Sequence, residues 1–225
     1  MKIKLHAIKN RIFHLIPLRR IDSTVHFTGK KYISIGRNTL ISQNTWLNVN
    51  QRYKEKHIVI GDYCFIGRNN FFTSGELIQF DDYVITSVNC CFIGASHDYS
   101  NPLIPYYFAQ TTNAKTIEVG FNVFIGANTT VIGNVMIEYG SVIGANTLIK
   151  DGEYPPFSLL VGNPGKVVKR YSFKDKVWKK IDNWNHDDEM SIVKIKEYKK
   201  SILEQKFERG LPLKAIGKSN GNLFK

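Results

Sequence analysis

Branched aliphatic residues recur every six positions along most of this chain. Val119, Ile125, Val131, Ile137, Ile143 and Ile149 form an unbroken frame. Glycine often follows, at Gly120, Gly126 and Gly144, and four positions after each aliphatic stands a small or β-branched residue: Val123, Thr129, Val135, Ser141 and Thr147. The frame also runs earlier in pieces, through Ile35, Ile41 and Leu47, then Ile60, Ile66 and Phe72, then more weakly Phe80, Thr86 and Phe92. A helix repeats its apolar face every 3.6 residues and a strand every two. A period of six fits neither alone. It fits a short strand followed by a turn, three of which close one coil of a triangular prism. The aliphatic side chains then point inward and stack on their equivalents in the next coil, while Gly and Asn take positive φ at the corners. One coil cannot bury its own inner face, so several must stack. About five coils are expected between Gly29 and Pro156. An antiparallel sandwich would alternate, with turns about every 8 to 12 residues, and gives no reason for a sixfold frame.

The frame slips by two residues between Phe72 and Phe80 and is interrupted at about Asn48–His57 and Asp98–Thr116. After Pro156 it ends. Val161-Gly-Asn-Pro-Gly-Lys166 is a turn by composition. Beyond Ser172, Phe173, Val177 and Ile181 recur at helical spacing, and about Asp187 to Lys206 reads as an amphipathic helix capped by Asp187 or Asp188. The chain therefore divides into an N-terminal segment (1–28), a β-helical domain (29–158) with a protruding loop (98–116), and an exit turn with C-terminal helices and a basic tail (159–225). The N-terminal segment reads as a packed or frayed end; a short amphipathic helix touching a membrane surface is the weaker reading.

The formal net charge is +12. The basic residues concentrate toward the two ends, above all after Gly165, so the charge is ascribed to a solvated surface and to attraction for a phosphate-bearing ligand rather than to nucleic-acid binding. No apolar run approaches the ~18 to 20 residues of a membrane span. The first twenty residues lack a clean apolar core and a cleavage site. Cys64, Cys90 and Cys91 have no metal-ligand spacing, which fits a reduced, cytoplasmic location and no metal.

The stretch from Ile117 to Thr147, with its repeated Val-Ile-Gly and Ile-Gly-Ala-Asn, and the exit segment Pro155-Pro-Phe-Ser-Leu-Leu-Val-Gly-Asn-Pro-Gly-Lys-Val-Val-Lys169 resemble the hexapeptide-repeat, left-handed β-helix acyltransferases. Within them the chain is similar to the sugar O-acetyltransferases of capsule and O-antigen synthesis and to xenobiotic acetyltransferases of the virginiamycin type. The latter share helical residues and a Trp-rich patch after the exit, here Trp178 and Trp184-Asn-His-Asp-Asp. Two positions depart from the pattern: Phe124 replaces a frequent Trp, and Gly165 replaces a usual Ala. The resemblance implies an all-β left-handed solenoid, a homotrimer, acetyl-CoA as co-substrate and a sugar or polysaccharide acceptor.

Acyl transfer from a thioester to a hydroxyl needs a base for the hydroxyl proton and a stabiliser for the oxyanion. Among six histidines, His97 stands out in Gly94-Ala-Ser-His-Asp-Tyr-Ser, where a coil gives way to the long insertion. The family's catalytic histidine occupies that place, which makes His97 the expected general base. Asp98 orients the imidazole, binds the acceptor or simply begins the loop. Asn70, one coil earlier, is carried over as an acceptor contact against the alternative of a corner residue. Tyr106, with Tyr107 and Phe108, gives the loop rings for stacking on a sugar. The resemblance places the pantetheine arm against Ala127 and Ala145 and the coenzyme phosphates near Lys150, Lys166 and Lys169. A drug-type O-acetyltransferase, an amino-sugar N-acetyltransferase and a non-catalytic basic β-helical scaffold are the alternatives.

Overall fold

The computed structural model describes residues 20–50, 52–53, 55–111 and 115–204. One compact unit extends to Ser191, and a second begins at Ile192.

The first unit is built from three sheets of stacked parallel strands. On the first face the strands Leu40–Ile41, Phe65–Ile66, Ile85–Thr86, Phe124–Ile125 and Val142–Ile143 lie rung above rung. The second face carries His26–Thr28, Trp46–Val49, Phe71–Ser74, Cys91–Ile93, Thr130–Ile132 and Leu148–Ile149. The third carries Ile33–Ile35, Ile58–Ile60, Leu77–Phe80, Thr116–Val119, Val135–Ile137 and Gly152–Tyr154. All-parallel pairing follows from chain direction: each strand meets its counterpart one full coil later, always running the same way.

The sixfold frame is the inner wall of this prism. Ile125, Val131, Ile137, Ile143 and Ile149 are completely buried. Third-face strands place two residues inside, such as Ile78 and Phe80. The frame slips after Phe72 because two extra residues sit at the second-to-third edge there: Phe72 to Phe80 spans eight positions, and their register equivalents Val131 and Ile137 span six. Phe72 and Phe92 stack at 4.6 Å between ring centroids, with Phe80 edge-on to Phe92 at 5.0 Å. Removing any one of these rings would cost about 3 to 5 kcal/mol.

Corners are set by residues that tolerate left-handed backbone. Between the first and second faces, Asn44, Asn69, Asn89, Asn128 and Asn146 all have φ between 56° and 59°. Four of them form a ladder on the outside, Asn69 to Asn89, Asn89 to Asn128 and Asn128 to Asn146, at 3.1–3.2 Å. Inside the corners, small polar residues close the backbone: the Thr45 hydroxyl donates to the Gly67 carbonyl at 3.0 Å, and that of Thr129 to Gly144 at 3.2 Å. Cys64 and Cys90 occupy equivalent places, their thiols donating to Asp81 and Gly126 carbonyls. The two cysteines are therefore small core residues.

Several expectations are corrected. Strands begin at Arg20–Ile21 and His26–Thr28, so stacked strands start ahead of Gly29. The first nineteen residues lie outside the described part, as does the tail beyond Glu204. Past the exit turn the chain forms a β-hairpin rather than a helix: Gly165–Ser172 pairs antiparallel with Ser158–Gly162 and with Val177–Lys180. Phe173, Val177 and Ile181 have helical spacing, but pairing with the last first-face strand and the Tyr171–Trp178 edge contact at 5.6 Å outweigh local propensity. The expected single helix from Asp187 is two, α1 (His186–Met190) and α2 (Ile195–Glu204). The cap of α1 is Asn185, not an aspartate. Its side chain accepts from the Asp188 amide at 3.0 Å, and Asp188 reciprocates to the Asn185 amide at 3.2 Å, a capping box. Asp188 is fully buried and also takes Ser172 and Lys179 at 2.6 and 2.8 Å. Arg170 beside it is buried, paired with Glu189 and stacked 4.6 Å over Trp184. The Trp-rich patch thus fastens the hairpin. Helix α2, in the second unit, places its half-buried Ile195, Tyr198, Lys199 and Ile202 at positions that share one side. No helix among the described residues is long and apolar enough to cross a membrane.

Candidate active site

The edge between the second and third faces is where coils are opened. The longest excursion leaves the second face after Cys91–Ile93 and returns at Thr116–Val119. Its base is closed: the Lys115 amide donates to the Gly94 carbonyl at 2.9 Å and the Glu76 amide to the Lys115 carbonyl at 3.0 Å. Gly94 and Gly75 touch backbone to backbone. A Cβ on Gly75 would sit 1.9 Å from the Gly94 carbonyl oxygen, so no larger residue fits there.

His97 stands just outside this base, exposed, in an isolated antiparallel bridge with Thr111. The Asp98 amide donates to the Gln110 carbonyl at 2.7 Å. The Asp98 carboxylate accepts the Ser100 amide at 2.9 Å, and the Ser100 amide and hydroxyl hold it below the usual carboxylate range. Asp98 therefore opens the loop turn and remains an anion at neutral pH.

A cavity of about 650 Å³ lies under the loop, within the size range of ligand pockets. Ile93 and Ile132, neighbours in register, form its apolar floor. Ser96, Asp98, Ser100, Gln110, Thr111, Lys115 and Asp151 supply polar groups. Ser96 and Asp98 flank His97, which itself is not among the lining residues. The Asp151 carboxylate accepts the Asn134 amide at 2.9 Å. That bond holds it low, and Lys115 and Lys150 add to the effect.

The expected residues separate. Asn70 is 1% exposed, and its amide is spent on the Gly67 and Ser87 carbonyls (2.7 and 2.9 Å) and on the Cys90 amide (3.2 Å). It is a corner residue with no group turned toward an acceptor, which corrects its assignment. Tyr106 is half exposed on the loop, beside Tyr107 and Phe108, which are more exposed still. Ala127 and Ala145 lie on successive rungs of the first-to-second corner; the Asn146 amide donates to the Ala127 carbonyl at 2.8 Å. Lys166 and Lys169 follow in the exit hairpin, opposite Val161 and Leu159. Lys150 is on the other edge, next to Asp151 and the cavity. Within one chain the coenzyme residues thus occupy two edges. Lys115 and Asp151 escaped the sequence reading. Their signal was available once Ile93, Ile132 and Lys150 are placed at one edge by counting three strands per coil. Among the described residues no cluster of three or more His, Cys, Asp or Glu could hold a metal.

Burial pushes the thiol of Cys64 up to about 12 and that of Cys90 up to about 11, so neither supplies a thiolate nucleophile at neutral pH.

No family model matches the chain. It is 29% identical over 161 residues to WbbJ of Escherichia coli K12, a candidate lipopolysaccharide biosynthesis O-acetyl transferase; the match covers 72% of this chain and 62% of WbbJ. It is 26% identical over 160 residues to the dTDP-4-amino-4,6-dideoxy-D-glucose acyltransferase of Escherichia coli, covering 69% of this chain and 80% of that protein. The fold matches AntD, an N-acyltransferase from Bacillus cereus solved with dTDP and 3-hydroxybutyryl-CoA, with a TM-score of 0.56 and 22% identity over 87% of this chain and 96% of AntD.

Proposed function

We propose that this chain, which resembles the hexapeptide-repeat acyltransferases in sequence and in fold, moves an acetyl group from acetyl-CoA to a hydroxyl of a sugar or polysaccharide. The observation that carries this reading is the cavity under the loop, walled by the residues on either side of His97. His97 acts as general base. Its imidazole takes the proton of the attacking hydroxyl as the C–O bond forms at the thioester carbonyl. It returns that proton to the departing sulfur as the C–S bond breaks. The apolar floor of Ile93 and Ile132 suits a sugar ring face, and Ser96, Asp98, Gln110 and Asp151 suit its hydroxyls.

The prism is taken as left-handed and the assembly as a homotrimer in the cytoplasm. The first face supports self-association: between Arg20 at one end and Lys169 at the other, its outward column is apolar through Leu40, Phe65, Ile85, Phe124, Val142 and Leu159. A neighbouring copy would set Ala127, Ala145, Lys166 and Lys169 of one edge opposite His97 and Lys150 of another, with ammonium groups meeting the coenzyme phosphates.

Transfer to the amine of a nucleotide-linked amino sugar is the second reading. The carboxylates of Asp98 and Asp151 favour it, since both are held ionised in one cavity, and so does the resemblance to the dTDP-amino-sugar acyltransferase.

Thiol release from acetyl-CoA, followed against sugars, oligosaccharides, amino sugar nucleotides and streptogramins, tests the proposal. Turnover on saccharides that disappears in His97→Ala supports it. Turnover on drugs alone, or an unimpaired His97→Ala protein, overturns it.

A further inference from the structure

Most of the second face's outer surface is unlike the first. Two columns run along it in register. One is Trp46, Phe71 and Cys91; the other is Asn48, Thr73, Ile93 and Ile132. The second column therefore leads directly into the cavity floor, because Ile93 and Ile132 are that floor. Trp46 is 44% exposed and lies against Phe71 with ring centroids 5.4 Å apart and planes tilted by 58°. Its indole N–H donates to the Thr28 hydroxyl at 3.0 Å, which fixes the ring. Alongside runs a polar relay: the Asn48 amide donates to Asn50 at 2.8 Å, and the Asn50 amide to the Thr73 hydroxyl at 2.7 Å.

We infer that this strip is a subsite for further sugar units, so that the acceptor is an oligosaccharide or polysaccharide chain lying along the stack rather than a single sugar. The inference rests on the acyl-transfer reading of the cavity. Held aromatic faces beside a row of amides and a hydroxyl offer what a pyranose needs: a flat apolar surface for its C–H face and partners for its rim hydroxyls. Rungs are spaced by ~4.8 Å, close to the length of one pyranose unit in an extended chain. A sugar in the cavity would then be followed by one over Thr73 and Phe71 and another over Asn48 and Trp46.

A second copy of the chain is the rival occupant. Burying Asn48 and Asn50 against protein demands partners for the amide groups they do not use on each other and on Thr73, whereas the first face from Leu40 to Leu159 is an apolar column that makes no such demand. The second copy is therefore assigned to the first face and the glycan to the second.

The test uses the full chain and acceptor ladders of one to five units of glucose, galactose and N-acetylglucosamine, measuring kcat/KM and calorimetric binding. The wild type should favour the trimer over the monomer by about tenfold. Trp46→Ala and Asn48→Ala should each pull that ratio toward one, and Trp46→Phe should keep most of it. Equal efficiency at every length, or a ratio untouched by these substitutions, overturns the subsite while sugar acylation stands. No turnover and no binding at any length overturns both. A change in sedimentation on Trp46→Ala identifies the strip as a subunit contact and also overturns it.

Discussion

The amide of Asp98 donates to the carbonyl of Gln110 across 2.7 Å, tying the outgoing and returning strands of the loop together one residue beyond His97. The imidazole is therefore carried on a short two-stranded stalk, bridged at His97 and Thr111, rather than on a free loop. In the proposed mechanism, a base on such a stalk would need little reorganisation before meeting its substrate.

Replacing His97 by Ala should lower kcat by about 10² to 10⁴-fold. Because the side chain is exposed, the unfolding free energy should stay within about 0.5 kcal/mol of wild type. Steady-state kinetics and calorimetry on the same preparation check both halves.

Asn70→Ala should do the reverse. Three backbone groups lose a buried partner, so stability should fall by about 1 to 3 kcal/mol. Activity per folded molecule should be retained. A raised acceptor KM without a change in denaturation midpoint would restore Asn70 to the site.

A charge on the first face should break assembly. Phe124 is 43% exposed in the single chain, so Phe124→Asp leaves the folded protomer intact. For the proposed homotrimer, sedimentation should show the wild type as a trimer and the variant as a monomer, with activity lost alongside. An unchanged sedimentation coefficient would remove the first face as the subunit contact.

Alkylation of the native protein at pH 8 should leave Cys64 and Cys90 unmodified, since burial keeps both thiols protonated. Peptide mass spectrometry reads this directly. Fast labelling of either would show that its corner opens.

Acid sensitivity should trace partly to Asp188. Lys179 and Ser172 hydrogen-bond its carboxylate and hold it below the usual carboxylate range. A depressed pKa means that the unfolded chain binds the proton more readily. The stabilisation is therefore complete above the unfolded value of about 3.9 and is lost as pH falls through the folded one. Asp188→Asn should be less stable at neutral pH and should show a shallower loss on acidification, followed by denaturant melts from pH 7 down to about pH 2.

The prism was legible because its inner wall obeys one rule: Val119 to Ile149 face inward at every sixth place, and the corner asparagines supply the backbone the turns need. The loop was legible as an absence of that rule. Two things were not. Helical spacing of Phe173, Val177 and Ile181 is genuine, but the open edge of Ser158–Gly162 offered hydrogen bonds that a helix could not use. Asn70 and the exposed ladder asparagines look alike in sequence. What separates them is which way one residue faces at a corner, a distinction of a single position in the hexad. The cavity residues Lys115 and Asp151 are 36 positions apart, and only coil counting brings them together.

Gly94 and Lys115 share a hydrogen bond where the excursion leaves and rejoins its coil. The coil is therefore closed by backbone at the base of the excursion, and Glu76 of the neighbouring rung bonds to that closure. Residues 99–109 lie beyond the His97–Thr111 bridge, so under the proposed function an engineer could exchange them to alter which acceptor is greeted while keeping His97 and the scaffold, provided the glycine at 75 stays bare.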